Sequence, residues 1–277
     1  MQLTVQEIDE ITERVLAEDA AFNDVTSRAI VPERAELSLR MVTRQSAVIV
    51  GLPIAVAIVR RMTPEANINV LIKEGEEVVA GTLLVHLQGD AYGLLAAERA
   101  ALNVVQHLSG IATLTRAYVK QIEGTGAILR DTRKTLPGLR KLEKYASSLG
   151  GAQNHRLNLA SGLLIKDNHL AFAGGLAEAV RRAKNAGLNP IEIECENIEQ
   201  VSEAMVAGAD ILLLDNMGLK AMRTAVSSVS GQVKLEASGN VSLDSIREIA
   251  ETGVDFISVG QITHSAPAID VGFDLDS

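Results

Sequence analysis

Basic side chains are concentrated in one short part of this chain, where they could bind a small anion. The segment from position 130 to 144, RDTRKTLPGLRKLEK, contains six Lys/Arg and two acidic residues, which gives it a charge of +4. The chain as a whole has 277 residues and a net charge of −9. Nucleic-acid-binding domains are usually basic overall, with Lys and Arg clustered on one face. The segment therefore predicts a local site for a small, highly charged anion and no nucleic-acid partner.

Arg133 and Lys134 are the first candidate ligands for such an anion. An arginine can bind a carboxylate through two parallel hydrogen bonds, whereas a lysine acts as a point charge on a phosphate. A solvated basic loop would also explain two adjacent basic residues, but the position at a strand end, just before a Pro-Gly turn, favours a binding site. Farther along, Lys141 and Lys144 are predicted to lie on an ordinary solvated helix face.

Three further basic residues follow within the next part of the chain. His155 and Arg156 come after two glycines in a predicted loop, where they could bind a planar acid; a purely structural histidine is the alternative. Lys166 ends the apolar run GLLIK. Because a buried ammonium group is costly unless an anion meets it, we expect Lys166 to bind an anion.

Acidic residues supply a second group of candidates. The segment IEIECEN alternates, so Glu192, Glu194 and Glu196 share one face of a predicted strand and Cys195 lies on the other, in the core. Two explanations are open for the acidic face: an edge strand with one hydrated face, or a central strand from which one carboxylate points into a site. Asp215 ends the next apolar run, ILLLD.

Two turns of small residues could hold a phosphate through their backbone N–H groups. They are Ser238-Gly239-Asn240 and Ser258-Val259-Gly260. Each follows a predicted strand near the end of the chain. The last strands of a (β/α) barrel commonly form a phosphate site, so the two turns are candidates for that role.

The elements that must position these residues form two parts. Residues 1–112 are predicted to be an α/β sandwich, with a helix over 4–20 and, from 35 to 87, short strands linked by turns. A long helix is predicted over 92–123. Residues 113–267 then alternate between strand and helix, and several of these helices end in a glycine. Whether the tail, 268–277, returns to the first domain is left open.

The alternating part predicts a parallel sheet in the form of an open, incomplete TIM-like α/β barrel, because no GxGxxG dinucleotide motif is present. Such barrels place their chemistry at the carboxyl ends of the strands. The predicted strands end in polar residues: Asp131, Lys166, Glu194, Asp215, Ser238 and Ser258.

Composition excludes several classes of protein. A hydrophobic content of 47% excludes a disordered chain. The longest apolar run, 47–59, is shorter than the roughly 20 residues that a membrane-spanning helix needs, and the amino-terminal residues lack the pattern of a signal peptide. The single Cys195 excludes an intramolecular disulfide and fits a reducing compartment. We therefore expect a cytoplasmic protein with no membrane partner.

In combination, the motifs resemble the quinolinate phosphoribosyltransferase family. FNDVTS, KEGEEV, ERAALN, DTRKTLPGLR, NHR, LIKDNH, LLLDN, LEASGN and GVDFISVG occur in the family's order, almost from end to end. The resemblance implies an enzyme of de novo NAD biosynthesis, which converts quinolinate and phosphoribosyl diphosphate to nicotinate mononucleotide, CO₂ and diphosphate. It also implies a small α/β sandwich followed by an open barrel, and a homodimer or a larger homo-oligomer.

The resemblance further implies roles for individual residues. Those expected to bind quinolinate are Arg133, His155, Arg156 and Lys166, with Arg99 contributed by a partner subunit. Those expected to bind phosphoribosyl diphosphate are Lys134, Glu194, Asp215 and the two small-residue turns, 238–240 and 258–260. Lys134, Glu194 and Asp215 are also the expected catalytic residues. Mg²⁺ is expected to accompany phosphoribosyl diphosphate, with Glu194 and Asp215 as candidate, indirect ligands, and no organic prosthetic group is expected.

The sequence departs from the family pattern at Asn158 and Ser161, after Arg156, and at Ala152, where the family has a third glycine. Neither change removes a proposed ligand. Three alternatives stay open: a paralogue of the kind found near molybdenum-transport genes, a lipoyl- or biotinyl-type carrier suggested by residues 73–87, and a barrel that binds anions without turnover. Lys166 argues against the first, the lack of a modifiable lysine in the turn argues against the second, and an assay decides the third.

Overall fold

A computed structural model describes residues 1–276 of the chain. They form two compact units. The first unit comprises Met1–Leu114, Tyr145–Gly150 and the residues from Ala266 onward. The second unit comprises Thr115–Lys144 and Gly151–Ser265.

The amino-terminal elements are helices and strands of the first unit, followed by a helix of 31 residues whose last residues, from Thr115 onward, belong to the second unit. In chain order they are α1 Val5–Glu18, a 3₁₀ helix Ala21–Asn23, α2 Val25–Ile30, β1 Glu36–Thr43, β2 Ala47–Val48, α3 Leu52–Met62, β3 Asn67–Val70, β4 Glu77–Val78, β5 Leu83–Asp90 and α4 Ala91–Gln121. Of the helices within residues 1–276, none combines the length and the apolar character that crossing a membrane requires.

The remaining elements alternate between strand and helix almost throughout. They are β6 Ile128–Arg130, α5 Arg140–Gly150, β7 Leu163–Ile165, α6 Asp167–Ala173, α7 Leu176–Asn185, β8 Ile191–Cys195, α8 Ile198–Ala207, β9 Ile211–Asp215, α9 Leu219–Val229, β10 Lys234–Ser238, α10 Ile246–Ala250, β11 Phe256–Ser258, α11 Gln261–His264 and β12 Val271–Leu275.

The first unit is built on an antiparallel sheet with the strand order β12-β1-β5-β3, beside a two-stranded sheet of β2 and β4. The strand β12, close to the carboxyl terminus, pairs with β1 from Leu39↔Leu275 to Thr43↔Val271. Helix α1 begins with a capping box, in which Thr4 and Glu7 exchange hydrogen bonds. This cap lies at position 4, where the helix was predicted to start. It packs against α3.

Helix α3 lies between strands of a region that was predicted to contain only strands and turns. Its first N–H groups are capped from a distance, since the Glu74 carboxylate accepts hydrogen bonds from the N–H of Gly51 (2.6 Å) and of Leu52 (3.1 Å). The Tyr145 hydroxyl also donates a hydrogen bond to the Glu74 carboxylate. Burial raises the pKa of Glu74. Because this cap comes from a residue far along the chain, the local pattern did not reveal the helix.

The second unit contains a six-stranded parallel sheet with the order β6-β11-β10-β9-β8-β7. From β7 to β11, each strand pairs with the next strand along the chain, and the first strand, β6, pairs with β11. Among the described strands of this sheet, β6 and β7 are the two at its edges, and they are not paired with each other. The sheet is therefore closed on itself except at one opening, which confirms the predicted open α/β barrel.

The core of this sheet is apolar, as expected for strands that are covered on both faces. Fully buried members include Ile193, Leu212, Leu214, Ala237 and Ile257. The glycines that were predicted to end helices have positive φ angles, for example +81° at Gly208 after α8, where a residue with a side chain would be strained.

Cys195 offers a direct test of the position of β8. Its side chain is fully buried, and burial raises the pKa of the thiol to about 12. We expect iodoacetamide at about pH 8, near the pKa of an exposed thiol, to leave the native protein unmodified and to label one thiol after denaturation. Mass spectrometry measures the label. Equal labelling rates in native and denatured protein would show that β8 does not lie in the core.

Candidate active site

A cavity of about 520 Å³ lies at the carboxyl ends of the strands of the second unit. Its lining combines basic, acidic and small polar side chains, as the positions of these residues at the strand ends predict. The lining residues are Asp131, Thr132, Arg133, Lys134, His155, Arg156, Leu164, Lys166, Glu194, Leu213, Asp215, Asn216, Glu236, Ser238 and Ser258.

Most of the candidate residues from the sequence meet in this cavity, and five lie outside its lining. Arg99 is an exposed residue of α4 in the first unit. Gly239 and Asn240 line a smaller neighbouring hollow, which also includes Asn216. Val259 is buried, and Gly260 lies against the side chain of Lys134.

Two guanidinium groups dominate the basic part of the cavity. The buried Nε atom of Arg133 has no hydrogen-bond partner. Burial, together with the nearby charge of Arg133, lowers the pKa of Arg156, whose Nη1 donates to the carbonyl of Gly162 (3.1 Å). A carboxylate between the two side chains would relieve their repulsion.

Lys166 and Glu194 form an ion pair across two neighbouring strands. Ile165 is opposite Ile193 in the register of β7 and β8, which places the next residues, Lys166 and Glu194, side by side. The Lys166 Nζ and Glu194 Oε2 atoms are 2.6 Å apart. The expectation that the Lys166 ammonium group is buried is wrong, because its side chain is 46% exposed. The anion that it meets in this structure is a carboxylate of the same chain, at the rim of the cavity.

The strand β8 lies between β7 and β9, so the edge-strand explanation of its acidic face is wrong. The three carboxylates of the predicted acidic face have different surroundings. Glu194 lines the cavity, Glu192 is buried, and Glu196, which follows the strand, is exposed. The alternative, in which one carboxylate points into the site, describes Glu194.

A buried polar network lies beneath the basic residues. The Nε2 atom of His155 is 3.1 Å from Glu192 Oε2 and 3.6 Å from Glu236 Oε1, and its Nδ1 accepts the backbone N–H of Arg156. Arg130 donates to the other oxygen of Glu236 (2.5 Å). Burial raises the pKa of Glu236, and the neighbouring Glu192 adds to this effect.

The ligand atoms of His155, Glu192 and Glu236 lie within 4.8 Å of one another, close enough to hold a cation. Arg130 already binds Glu236, however, so the charge of this carboxylate has a partner within the protein. From the sequence, Glu192 was placed on the acidic face of a predicted strand, and neither Glu192 nor Glu236 was assigned to the site. Their alternation with apolar neighbours was the available signal.

Asn216 is another residue that was not assigned to the site from the sequence. It has a φ angle of +53°, its Nδ2 donates to Asp215 Oδ2 (3.0 Å), and its Oδ1 accepts from Asn240 (3.1 Å). A Cβ atom on Gly239, which has a φ angle of +101°, would lie 2.1 Å from Asn216 Oδ1. The glycine of the first small-residue turn is therefore required for the asparagine that orients Asp215.

The prediction that Lys144 lies on a solvated helix face is wrong. Its side chain is fully buried, and its Nζ donates to Asp131 Oδ1 and to the carbonyl of His155 (3.1 Å). Asp131 is fully buried as well, so it belongs to the wall of the cavity and not to the open rim that its strand-end position suggested. The helical pattern could not show this, because the buried partner comes from another element.

These features define a class of protein: an α/β protein whose open barrel carries a cavity lined by both acidic and basic side chains at the strand ends. Residues 24–109 match the family described as Quinolinate phosphoribosyl transferase, N-terminal domain, and residues 111–274 match its C-terminal domain. The chain belongs to the quinolinate phosphoribosyl transferase family.

Similar proteins extend over nearly the whole chain. A probable nicotinate-nucleotide pyrophosphorylase [carboxylating] of Synechocystis is 42% identical, over 97% of this chain and 92% of its own length. The nicotinate-nucleotide pyrophosphorylase [carboxylating] of Mycobacterium leprae is 40% identical over 95% of each. The structure of the nicotinate-nucleotide pyrophosphorylase from Francisella tularensis matches with a TM-score of 0.95 and 38% identity, covering 99% of this chain and 98% of that chain.

Gly239 and Gly231 form a matched pair for testing the turn beside Asp215. Both have positive φ angles, but a Cβ atom on Gly231 would meet nothing within 4 Å. We expect Gly231→Ala to lower the free energy of unfolding by about 1–2 kcal/mol, and Gly239→Ala to lower it by a further ~1–3 kcal/mol because Asn216 must move. Denaturant unfolding measures both. Equal losses would contradict the close approach of Gly239 to Asn216.

Proposed function

We propose that this chain transfers the phosphoribosyl group of phosphoribosyl diphosphate to quinolinate, releasing diphosphate and CO₂ and forming nicotinate mononucleotide. The observation that carries the proposal is the composition of one cavity, in which two guanidinium groups and two lysines face two carboxylates at neighbouring strand ends. A dicarboxylate needs the positively charged side chains. Phosphoribosyl diphosphate needs positive charge for its phosphates, and it needs the carboxylates for its ribose hydroxyls and its metal ion. Membership of the family and the names of the relatives support the same activity.

Quinolinate is a planar ring with two adjacent carboxylates, and we assign it to the basic part of the cavity. Arg133 and Arg156 would each bind a carboxylate, since arginine matches its geometry through two hydrogen bonds. Lys166 would supply a third positive charge after exchanging Glu194 for the substrate. His155 lines the same part, with both ring nitrogens in contact with the protein, so its contribution would come through the surface of its ring.

Phosphoribosyl diphosphate is assigned to the other part of the cavity. Lys134 would bind its diphosphate, and Glu194 and Asp215 its ribose hydroxyls. The two turns, 238–240 and 258–260, would hold the remaining phosphate through backbone N–H groups and hydroxyls. Thr263 donates to the carbonyl of Lys134 (2.7 Å), and the absence of a side chain at Gly260 leaves room for the Lys134 chain.

The acidic residues fit the binding of Mg²⁺, which prefers oxygen ligands and commonly uses one or two carboxylates together with substrate phosphates. Glu194 and Asp215 are oxygen donors at the ends of adjacent strands, and both line the cavity. They are the residues that would hold the ion, directly or through water. When bound, Mg²⁺ neutralises charge on the departing diphosphate.

The reaction has two parts. The ring nitrogen of quinolinate forms a bond to the anomeric carbon of ribose while the bond from that carbon to diphosphate breaks. The carboxylates of Glu194 and Asp215 stabilise the positive charge that develops on the ribose. The ring nitrogen is then cationic, so the adjacent carboxylate leaves as CO₂ and its bonding electrons remain on the ring carbon, which takes up a proton. The protein contributes position and charge to both parts.

We further propose that the protein is a homodimer or larger homo-oligomer in which Arg99 completes the quinolinate pocket of a partner subunit. The support is that Arg99 is an exposed cation on a helix of the first unit, whereas the cavity belongs to the second. A reducing compartment such as the cytoplasm suits the single free thiol of Cys195.

The proposed activity is tested with purified protein, phosphoribosyl diphosphate and Mg²⁺, comparing quinolinate with nicotinate and following mononucleotide and CO₂. We expect turnover of quinolinate alone. Arg133→Ala and Lys166→Ala should lose about 2–5 kcal/mol of transition-state stabilisation in kcat/KM, the typical effect of leaving a bound carboxylate without its charged partner. The exposed Lys220→Ala and Arg223→Ala are matched controls and should keep full activity.

Normal turnover by Arg133→Ala or Lys166→Ala would contradict the assignment of the substrate pocket. A folded wild-type protein that is silent with both acids would favour the molybdenum-associated paralogue or an anion-binding barrel without turnover.

The shared site is tested by mixing two inactive variants, Arg99→Ala and Lys166→Ala. Random exchange of subunits makes half of the dimers mixed, and each mixed dimer has one intact site, so activity should return to roughly a quarter of the wild-type value. Native mass spectrometry verifies the exchange. Exchange without recovery of activity would place Arg99 outside the partner's site.

A further inference from the structure

His155 and Arg156 occupy an unusual place in the barrel. They follow Gln153 at the opening between β6 and β7, where the regular sheet is interrupted. Gln153 forms a single parallel bridge with Arg130 of β6. Its N–H donates to the carbonyl of Leu129 (2.9 Å), and its carbonyl accepts the N–H of Asp131 (3.3 Å). Beyond Gln153 the ladder ends, so another interaction must hold the two residues in the cavity.

That interaction comes from three side chains, Asp131, Lys144 and Asn154, which we call the Lys144 cluster. Asp131 Oδ1 accepts the backbone N–H of His155 (2.8 Å), and Lys144 Nζ donates to the backbone carbonyl of His155 (3.1 Å). The cluster therefore holds both polar groups of the His155 backbone.

The members of the cluster also hold one another. Lys144 Nζ donates to Asp131 Oδ1, and Asn154 Nδ2 donates to Asp131 Oδ2 (2.7 Å) and to the carbonyl of Lys144 (2.8 Å). Asp131 and Lys144 are fully buried. A buried ion pair persists at a large desolvation cost and needs such additional hydrogen bonds, so its geometry is narrowly fixed.

The charges of Asp131 and Lys144 cancel, so the cluster adds no net charge to the basic part of the cavity. Its effect on a bound anion must therefore come through position. The guanidinium group at the end of the Arg156 side chain donates a hydrogen bond to the carbonyl of Gly162. The backbone of His155 is held by Asp131 and Lys144, and the Arg156 N–H donates to His155 Nδ1 (2.9 Å). A shift of His155 would therefore move the Arg156 guanidinium group as well.

We propose that Asp131, Lys144 and Asn154 are positioning residues that set the affinity for quinolinate by fixing the backbone that carries His155 and Arg156. The inference rests on the proposed function, since quinolinate is the ligand whose binding reports it. Phosphoribosyl diphosphate is assigned mainly to residues at the ends of β8 to β11. Lys134 is the one assigned residue on the loop of Asp131, and its carbonyl is held separately by Thr263 (2.7 Å). Binding of phosphoribosyl diphosphate should therefore depend less on the cluster than binding of quinolinate.

The experiment compares three variants. Asn154→Ala removes two hydrogen bonds without changing a charge. Lys144→Met leaves Asp131 buried without its cation, and Lys144→Met/Asp131→Asn restores neutrality. The matched control is Lys234→Met/Asp255→Asn, which removes a Lys–Asp pair of 2.6 Å at the surface of the same unit.

The readouts are the dissociation constant of quinolinate from calorimetry, the KM values of both substrates, kcat, and thermal unfolding. We expect a roughly ten- to hundredfold weaker quinolinate affinity in folded variants, as for a misplaced binding group. The KM for phosphoribosyl diphosphate should stay within about twofold of wild type, and the control should match wild type.

An unchanged quinolinate dissociation constant in a folded cluster variant would overturn the inference. So would an equal rise of both KM values, or the failure of all three variants to fold, because the cluster would then serve stability alone. A wild-type protein that neither binds nor converts quinolinate would instead refute the proposed function, and this inference with it.

Discussion

The barrel depends on one constraint, namely that charged groups within it must be paired. Two ion pairs meet this constraint: Lys144 with Asp131, both fully buried, and Arg130 with Glu236. Removing water from these groups is costly, and only short, well-directed hydrogen bonds offset that cost. The pairs therefore fix the segments they touch, including the one that carries His155. The ion pairs that satisfy this constraint thus also fix the wall of the cavity.

The cavity above these pairs separates two kinds of chemistry. Burial lowers the pKa of Arg156, and the nearby charge of Arg133 lowers it further, so an anion bound between the two guanidinium groups would be stabilised. On the adjacent strands, Glu194 and Asp215 offer oxygen ligands. Lys166 connects the two parts, because its partner without substrate is Glu194. One ion pair at the rim therefore lies between the proposed positions of the two substrates.

Sequence patterns predicted the repeating strands and helices and most of the residues that line the cavity. Each strand of the barrel is a short apolar run, and the parallel register brings the residues after those runs together, as with Lys166 and Glu194. The same reasoning failed at α3, whose cap is Glu74, and at Lys144, whose partner is Asp131. In both cases the deciding contact comes from another element, which periodicity does not reveal.

The sequence by itself determined the order of the elements and which residue types stand at the strand ends, because apolar runs, alternation and glycines act locally. Only the tertiary structure decided which charges are buried. Arg130 and Glu236 are 106 positions apart, and Lys144 and Asp131 lie on a helix and at a strand end. Burial depends on what surrounds a side chain in space, and a polar residue that is paired in the core has the same letter as one in water.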